Sequence, residues 1–391
     1  MKVKLKELGV ISTGNTPSKN ISEFYDSKDI GFVKPDIISD AQINYIVTTT
    51  EYISEAARAK ARIVSEDAVF VTCIGSIGKI GIAKGKELAF NQQINAIEPN
   101  EKILPKYLAY SILANKKKLE AIANAPVVPI INKTQFGEFE IDITDDVNEQ
   151  ERITKLLDKV SALILDRKTE LKKFDDLVKA RFVEMFGDLG SPDCKWNCEK
   201  LVDVCASSDD IKCGPFGTQL SKDEYVDTGV AVWEIPQINS FFATKPTHYL
   251  TEEKARQLDA YSIKPGDIAM SRKGNVGKCA VFPSDFKAGI IHSDVLRIRV
   301  DDSRVLPLFM MHQLHYSGAV QHQIKLVSSG AIMAGINVTK LKQILVYIPP
   351  IELQTQFIDF VHQVDKSKAA VQKALDEVQL LFDSLMQKYF G

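Results

Sequence analysis

Two long stretches of this chain carry apolar residues at alternating steps of four and three, with charged residues on the other faces. The first stretch begins at Asn148 and ends with Met185-Phe186-Gly187, and the second ends with Tyr389-Phe390-Gly391. A period of about 3.5 residues without internal proline is typical of coiled-coil helices. The predicted coiled-coil seam comprises Ile153, Leu157, Val160, Ile164, Leu171, Phe174, Val361, Val364, Val371, Leu375, Val378 and Phe382.

A long helix with such a narrow apolar stripe needs a partner that covers the stripe. Because the chain carries two predicted helices of similar length, we expect them to pair with each other. The alternative is that each helix packs only on the globular region beside it.

The regions outside the two predicted helices also repeat, with the same landmarks in the same order. The aligned pairs are Asp67 with Asp267, Gly78-Lys79 with Gly277-Lys278, Ile131-Asn132 with Ile336-Asn337, and Gln150 with Gln354. A period of about 200 residues is too long for a solenoid and indicates a duplicated domain. We therefore predict an α+β protein in which two similar mixed α/β domains are joined by two long helices. The predicted boundaries are 1–146 for the first domain, 147–190 for the central helix, 191–349 for the second domain and 350–391 for the C-terminal helix.

Short apolar runs bounded by turn residues predict strands inside each domain, and longer runs predict helices. The strands are predicted at 67–72, 80–83, 89–97 and 138–143 in the first domain and at 267–271 and 295–300 in the second. The helices are predicted at 104–123 and 308–326.

Composition narrows the class of protein. There is no run of about 18 apolar residues, so no membrane span is expected, and the N-terminal sequence lacks a secretory apolar core. The six cysteines form no Cys-x-x-Cys pair, which favours reduced thiols in a cytoplasmic protein over a zinc site. His312, His315 and His322 share a helical face but lack nearby acidic ligands, so we expect no metal site. The net charge of −2 leaves a polyanionic partner open.

Each predicted domain contains a glycine-rich loop within an interval that has cations and no carboxylate. The cations are Lys79, Lys84 and Lys86 in the first interval and Arg272, Lys273 and Lys278 in the second. Glycine permits close backbone approach, and cations displace the counterions of a phosphate backbone. We interpret the two loops as phosphate contacts; the alternative is a solvated hairpin with incidental lysines.

Polar side chains able to contact base edges follow these loops in both predicted domains. They are Asn91, Gln92 and Gln93 in the first domain and His292, Ser293 and Asp294 in the second. Amides can bond adenine in a bidentate way, and aspartate accepts from cytosine. Weaker candidates for the same role are Thr16, Ser18, Gln219 and Ser221. The competing interpretation of each residue is a surface or loop-bracing side chain.

The glycine-rich loops do not have the spacing of a nucleotide site. A Walker loop requires Ser or Thr after its Gly-Lys, whereas Ile80 follows Lys79 and Cys279 follows Lys278. The sequence also offers no nucleophile–base pair that would identify a catalytic site.

The order of these motifs resembles that of the specificity (S) subunit of type I restriction–modification enzymes. In the first copy the resemblance rests on Ser12-Thr13-Gly14-Asn15-Thr16-Pro17-Ser18 and on the helix start Asn148-Glu149-Gln150-Glu151-Arg152-Ile153. In the second copy it rests on Gly214-Pro215-Phe216-Gly217-Thr218-Gln219-Leu220, Lys273-Gly274-Asn275-Val276-Gly277-Lys278 and Ile348-Pro349-Pro350-Ile351-Glu352-Leu353-Gln354. The resemblance covers the whole chain.

The resemblance implies two target recognition domains, each of which binds one half of a split, asymmetric DNA sequence in the major groove. It implies that the helices pair antiparallel and dock two methyltransferase subunits, which restriction motor subunits join. Catalysis, S-adenosylmethionine, ATP and Mg would then belong to the partner subunits, and this chain would hold no cofactor. Two other classes stay open: a coiled-coil adaptor that never contacts DNA, and a self-sufficient DNA methyltransferase.

Overall fold

A computed structural model describes residues 1–40, 42–123, 128–328 and 335–391 of the chain. The chain divides into two compact units. Unit 1 is Met1–Glu170 with Val371–Gly391, and unit 2 is Leu171–Ala370. Each of the two long helices contributes one part to each unit, because the division falls inside both helices.

Unit 1 combines short strands with three short helices and one part of each long helix. Its strands are β1 (Lys2–Lys4), β2 (Gly9–Thr13), β3 (Ile30–Val33), β4 (Asn44–Ile46), β5 (Glu51–Ile53), β6 (Ile63–Val64), β7 (Val69–Thr72), β8 (Ile80–Ala83), β9 (Leu88–Phe90), β10 (Ile94–Pro99) and β11 (Glu140–Asp142). Its helices are α1 (Pro105–Ala114), α2 (Lys116–Ala121), α3 (Lys133–Glu138), the N-terminal part of α4 (Val147–Phe186) and the C-terminal part of α10 (Ile351–Phe390).

Unit 2 also combines short strands with short helices, of which it has five among the described residues. Its strands are β12 (Asn197–Lys200), β13 (Ile211–Cys213), β14 (Val230–Trp233), β15 (His248–Leu250), β16 (Ser262–Ile263), β17 (Ile268–Ser271), β18 (Cys279–Val281), β19 (Gly289–Ile291), β20 (Val295–Ile298) and β21 (Leu345–Ile348). Its helices are the C-terminal part of α4, α5 (Ile235–Asn239), α6 (Glu252–Gln257), α7 (Pro307–Tyr316), α8 (Gly318–Ser328), α9 (Val338–Lys342) and the N-terminal part of α10 (Ile351–Phe390).

The sheets of the two units follow the same strand order. In unit 1 the orders are β1-β11, β2-β10-β7-β8-β4 and β5-β3-β9-β6, and in unit 2 they are β12-β21, β13-β20-β17-β18 and β15-β14-β19-β16. The additional strand β4 of unit 1 pairs parallel with β8. The predicted duplication is therefore present in the topology: the molecule is an α+β protein with two similar domains and two long helices.

Several predicted elements are shorter than expected because side chains or turns interrupt them. The predicted helix at 104–123 ends at Asn115, whose Nδ2 donates to Ser111 O, and resumes as α2. The predicted helix at 308–326 is interrupted at Ser317, which has the extended ψ of 115°. The predicted strand at 89–97 is two strands, β9 and β10, separated by a turn.

The aligned pair Asp67 and Asp267 is wrong by one position. Asp67 N donates to Ala83 O as Gly266 N donates to Phe282 O, so Asp67 corresponds to Gly266. These two residues share a left-handed backbone, with φ of 69° and 89°. Asp267 instead has a buried carboxylate that accepts from Arg299 at 2.6 and 2.7 Å.

The two long helices run antiparallel in each unit. In unit 1 the first turns of α4 meet the last turns of α10, where Arg152 Nη2 donates to Tyr389 Oη at 3.4 Å. In unit 2 the later turns of α4 meet the first half of α10: Lys368 Nζ lies 2.6 Å from Asp175 Oδ1, and the Phe182 and Phe357 rings are 5.5 Å apart.

The predicted seam residues face inward to different degrees. Ile153, Leu157, Val160, Val361, Val364 and Leu375 are buried. Ile164, Leu171, Phe174, Val371, Val378 and Phe382 are half-buried. The stripe also packs on the domains, since Phe390 lies 5.1 Å from Tyr107 of α1 and Phe186 lies 4.9 Å from Phe309 of α7, ring centre to ring centre. The helices therefore cover their stripes partly with each other and partly with the adjoining domain.

A buried glutamine ties the start of each long helix to its unit with the same three hydrogen bonds. Gln150 accepts from Leu104 N at 2.9 Å and donates to Lys102 O and Thr144 O at 2.9 and 2.8 Å. Gln354 accepts from Leu306 N at 2.9 Å and donates to Arg304 O and Pro349 O at 3.1 and 2.8 Å. These glutamines occupy the aligned positions and hold the helices at a fixed place on each domain.

An unpartnered histidine is buried where α7 packs on α10 in unit 2. His312 is only 7% exposed, and its ring lies 5.3 Å from both the Tyr316 and the Phe357 rings. Neither ring nitrogen has a hydrogen-bond partner among the described residues. Burial is the main cause that lowers the pKa of His312 from 6.5 to about 3.

We predict that replacing His312 with phenylalanine makes unit 2 less sensitive to acid. Between the unfolded pKa of 6.5 and the folded value of about 3, the unfolded chain binds a proton that the folded chain excludes, so stability falls as the pH falls. His312→Phe should remove a slope of up to about 1.4 kcal/mol per pH unit. Urea unfolding at several pH values measures this slope, and the exposed His322→Phe is the matched control. An unchanged slope in His312→Phe would contradict the prediction.

No helix among the described residues combines the length and the apolar character that a membrane span requires.

Candidate nucleic-acid interface

Three loops of each unit emerge from the same end of one sheet. In unit 1, β2 ends at Thr13 opposite Asn95, and β7 ends at Thr72 opposite Ile94, the first residue of β10. In unit 2, β13 and β17 end in the same way beside the start of β20. We call these segments loop 1 (14–18 and 214–221), loop 2 (73–79 and 272–278) and loop 3 (91–93 and 292–294), and together the three-loop edge of each unit.

Equivalent backbone bonds hold the three loops in both units. Gly14 N donates to Ile94 O at 3.1 Å, and Gly214 N donates to Val295 O at 3.2 Å. A Cβ atom at Gly14 would lie 2.1 Å from the carbonyl oxygen of Asn91, and one at Gly214 would lie 2.3 Å from that of His292. Loop 1 can therefore cross loop 3 only with glycine at this position. The close backbone approach explains the Gly that both copies carry there.

Loop 2 turns on glycines with a left-handed backbone. The φ angles are 76° and 78° at Gly75 and Gly78 and 66° and 86° at Gly274 and Gly277. Such angles strain residues that carry a Cβ atom. The bonds from Cys73 N to Gln93 O at 2.7 Å in unit 1, and from Arg272 N to Asp294 O at 2.9 Å in unit 2, join loop 2 to loop 3.

Loops 1 and 3 of unit 1 carry amide and hydroxyl side chains. Thr16 Oγ1 of loop 1 donates to Gln92 Oε1 of loop 3 at 2.8 Å, so these two predicted site residues are in contact. Asn91 is 6% exposed, and its Nδ2 donates to Gln93 Oε1 at 2.9 Å, which makes it a bracing residue. Gln92 and Ser18 are exposed. The candidate side chains of loops 1 and 3 in unit 1 are therefore uncharged.

The three-loop edge of unit 2 is ionic at the corresponding positions. Lys273 Nζ lies 2.8 Å from Asp294 Oδ1, and Asp294 N donates to His292 Nδ1 at 3.2 Å. Glu234 follows β14 and lies 4.0 Å from His292 Nε2 and 2.8 Å from His248 Nδ1. The result is a series of alternating basic and carboxylate side chains that begins in loops 2 and 3 and extends to Glu234 and to His248 of β15.

Other candidates of unit 2 brace the loops. Arg272 donates to Ile336 O at 3.2 Å and to Ser293 O at 3.3 Å, which are backbone groups. Gln219 Oε1 accepts from Tyr261 Oη at 3.1 Å. Ser221 Oγ donates to Asp223 Oδ1 at 2.6 Å.

The two glycine-rich intervals contain no carboxylate in the sequence, but in the folded first unit carboxylates from other segments pair with their lysines. Lys79 Nζ lies 2.9 Å from Asp40 Oδ2, and Lys84 Nζ lies 3.0 Å from Glu66 Oε1. The hydrogen bond to Glu66 is the main cause that raises the pKa of Lys84. Lys278 Nζ donates to Asn239 O at 2.8 Å. Carboxylate and carbonyl oxygens from other segments thus already accept from some of the lysine ammonium groups that the sequence predicted as phosphate contacts.

Residues not singled out by the sequence also reach this edge in unit 1. Asn15 Nδ2 donates to Lys60 O at 2.6 Å, and Asn15 Oδ1 accepts from Arg62 N at 2.7 Å. This places the exposed cations Lys60 and Arg62 beside loop 1. Within the part of the chain that the structure describes, neither cation has an ion-pair partner. The sequence did not predict that these cations lie beside loop 1, because more than 40 residues separate them from Asn15 in the chain.

Among the described residues, no group of three or more His, Cys, Asp or Glu side chains could hold a metal ion. The edges instead offer hydrogen-bond donors, acceptors and cations at rigid glycine-bearing loops. That combination suits contacts with phosphates and base edges.

The sequence model of the type I restriction modification DNA specificity domain matches residues 1–173 and 195–380. Because these matches cover most of the chain, the protein belongs to this family. The two matched regions agree with the duplicated topology described above.

Individual relatives match more distantly. The chain is 26% identical over 189 residues to the type I restriction enzyme MjaIX specificity subunit of Methanocaldococcus jannaschii, a match covering 47% of this chain and 43% of that protein. It is 27% identical over 183 residues to the EcoR124I/EcoR124II specificity subunit of Escherichia coli, covering 43% and 44%. The matched region therefore spans less than half the length of these two relatives.

Two solved structures share the fold over the whole chain. The type I restriction–modification S subunit from M. genitalium has 15% identity and a TM-score of 0.56, covering 100% of this chain and 96% of that one. A chain from a study of complex assembly and conformational transition of the type I R-M system has 17% identity and a TM-score of 0.59, covering 100% and 97%.

Proposed function

We propose that this chain is the sequence-specific, double-stranded DNA-binding subunit of a type I restriction–modification complex. The observation that carries this proposal is a three-loop edge built twice on the same backbone with different side chains. Unit 1 presents Thr16 and Gln92, whereas unit 2 presents Lys273, His292 and Asp294. Because their side chains differ, the two edges would bind two different half-sites. The complete target would then be bipartite and asymmetric.

Base contacts and phosphate contacts come from different residues of each edge in this proposal. Accessible side chains of loop 3, such as Gln92 and His292, contact base edges, and half-exposed or exposed cations such as Lys273, Lys60 and Arg62 contact phosphates. Because phosphate contacts release counterions, affinity should fall steeply with salt. The recognition domains in this account are residues 1–146 and 191–349.

The long helices have two roles in the proposal. They set the number of unread base pairs between the half-sites, and they dock two methyltransferase subunits to which restriction motor subunits bind. Methylation, ATP hydrolysis and cleavage, with their S-adenosylmethionine, ATP and Mg, belong to those partners, and this chain is not catalytic. In this proposal the protein acts in the cytoplasm, where its partners modify the DNA that it binds.

We predict that lengthening both helices lengthens the unread spacer. One heptad inserted after Glu170 in α4 and one after Ala370 in α10 keeps the phase of the seam. Seven helical residues add roughly 10 Å, which corresponds to about three base pairs at 3.4 Å each. Methylome sequencing of a host that expresses this chain with its methyltransferase should show both half-sites unchanged and the spacer longer by about three base pairs.

The control for this experiment adds the same heptad after Gly391, where it should leave the spacer unchanged. A wild-type methylome without a bipartite motif would overturn the DNA-binding proposal itself. An unchanged spacer in the double insertion would overturn only the role of the helices as a ruler.

The runner-up function is a coiled-coil adaptor that bridges proteins without DNA contact, favoured only by the long helices. The two accounts differ in one measurement. The adaptor, mixed with its methyltransferase, would show no sequence-dependent retardation of labelled duplex. A self-sufficient methyltransferase would require the isolated chain to bind S-adenosylmethionine, which calorimetry tests directly.

A further inference from the structure

Phe241 of unit 2 is an exposed aromatic residue on a strained backbone. It follows α5, has φ of 51° and is 55% exposed. The next residue, Phe242, also has a left-handed backbone, with φ of 63°, but is only 3% exposed and packs on Trp233 and Phe282. Left-handed angles disfavour bulky side chains. Burial offsets the strain at Phe242, whereas more than half of the Phe241 side chain stays exposed, beside the His315 ring at 6.4 Å between ring centres.

The surrounding hydrogen bonds hold this turn in place. Phe242 N donates to Gln237 O at 2.7 Å, and Ala243 N donates to Ser240 O at 3.0 Å. Gln237 is 1% exposed, and its Nε2 donates to Lys245 O at 3.0 Å. The turn is therefore a fixed element that presents the Phe241 ring, and strained residues of this kind are concentrated at functional sites.

The ring of Phe241 lies against a cation of loop 2. Lys278 Nζ is 5.3 Å from the ring centre while it donates to Asn239 O. At the start of loop 2, Arg272 lies 4.8 Å from the ring centre of Phe216, which is 50% exposed. Two exposed aromatic rings thus flank the glycine-rich loop of unit 2, each beside one of its cations.

Unit 1 differs at the corresponding place. There the segment that follows β3 supplies Asp40, whose carboxylate lies 2.9 Å from Lys79 Nζ. An ion pair in unit 1 therefore stands where unit 2 has an apolar ring above the equivalent lysine. An aromatic ring beside the lysine of loop 2 is therefore a feature of unit 2 and not of unit 1.

We propose that Phe241 is an apolar wedge that inserts between two base pairs of the second half-site. The proposal rests on the DNA-binding function proposed above and names the element of unit 2 that deforms the duplex. An aromatic ring inserted at a base step unstacks it and kinks the DNA, with the adjacent lysine placed to contact a phosphate. Flexible pyrimidine–purine steps yield most readily, so unit 2 selects such a step without bonding its base edges. A ring among cations fits nucleic acid better than an apolar protein surface.

The test uses the full chain in complex with its methyltransferase and duplexes that carry 2-aminopurine at successive steps of the second half-site, away from the methylated base. Unstacking raises the fluorescence of this base analogue. We expect the wild-type complex to raise it at one step. Phe241→Ala should abolish the rise and weaken binding roughly tenfold, and Phe241→Leu, which keeps an apolar wedge, should retain most of the signal.

Two further variants separate a role in DNA binding from a role in folding. Phe241→Gly relieves the left-handed strain, so it should raise thermal stability while it weakens binding. Tyr45→Ala is the matched control, because Tyr45 of unit 1 is 45% exposed and also has a lysine, Lys106, at 4.9 Å from its ring centre. It should change neither stability nor the fluorescence signal.

Three results would overturn the inference. One is specific binding by the wild type without a fluorescence rise at any step, and another is an unchanged rise in Phe241→Ala. The third is loss of the methyltransferase from the Phe241→Ala complex, which would make the ring a protein contact. Failure of the wild-type complex to bind any specific duplex would instead count against the proposed function itself.

Discussion

Replacing Phe182 with alanine is expected to lower the free energy of unfolding of unit 2 by about 3–5 kcal/mol. Phe182 of α4 is 1% exposed. Its ring centre lies 5.1 Å from that of Phe186, 5.5 Å from Phe357 of α10 and 5.9 Å from Phe309 of α7. One side chain therefore joins both long helices to the domain, and its removal leaves a cavity that close packing cannot easily fill.

Urea unfolding followed by tryptophan fluorescence measures this loss. The chain has two tryptophans, and both Trp196 and Trp233 belong to unit 2, so the signal reports that unit. Val183→Ala is the matched control, because Val183 is the next residue of α4 and is 47% exposed. The control should change stability by less than about 0.5 kcal/mol. Similar losses in both variants would show that the aromatic cluster does not hold the helices to the domain.

The isosteric substitution Gln354→Glu is expected to destabilise unit 2 by about 3–5 kcal/mol at neutral pH. Gln354 is fully buried at the start of α10. Its Nε2 donates to Arg304 O and Pro349 O, and a carboxylate would place negative charge against both carbonyl oxygens. A protonated glutamate can donate one hydrogen bond, so the loss should become smaller as the pH is lowered.

The control for the glutamine variant is Gln356→Glu, an exposed position two residues further along the same helix. It introduces the same charge near the helix N-terminus without touching the domain, and should be neutral or slightly stabilising. The same tryptophan signal serves both variants. A loss below about 1 kcal/mol in Gln354→Glu would mean that the three hydrogen bonds do not fix the helix on the domain.

The sequence predicted the long helices better than any other part of the fold. An apolar stripe that continues over many turns combines the weak preferences of many residues for a helix. The periodicity therefore predicts both the presence of the helix and the face that it buries. Short elements gave less: Asn115 and Ser317 interrupt helices that hydrophobicity alone predicted as continuous. Their termination depends on local hydrogen bonds and backbone angles that a pattern of apolar residues does not encode.

For the candidate site as well, the sequence predicted local features but not contacts between distant segments. The sequence placed Thr16, Gln92 and Lys273 in polar loops, and the fold brings those loops together within each unit through sheet register. It did not reveal that Asp40 pairs with Lys79, because the two residues are neighbours only in space. The strain at Phe241 was equally hidden, since a backbone angle is set by the whole turn.

The sequence by itself determined the duplication, the two helices and the glycines that its loops require. The helices and loops depend on residues close together in the chain, and the duplication is visible because such local motifs recur in the same order. Only the tertiary structure decided which cations are already paired, which glutamine side chains are buried and which aromatic ring is exposed. Electrostatic energy and burial depend on distance in space, and contacts between residues far apart in the chain set that distance.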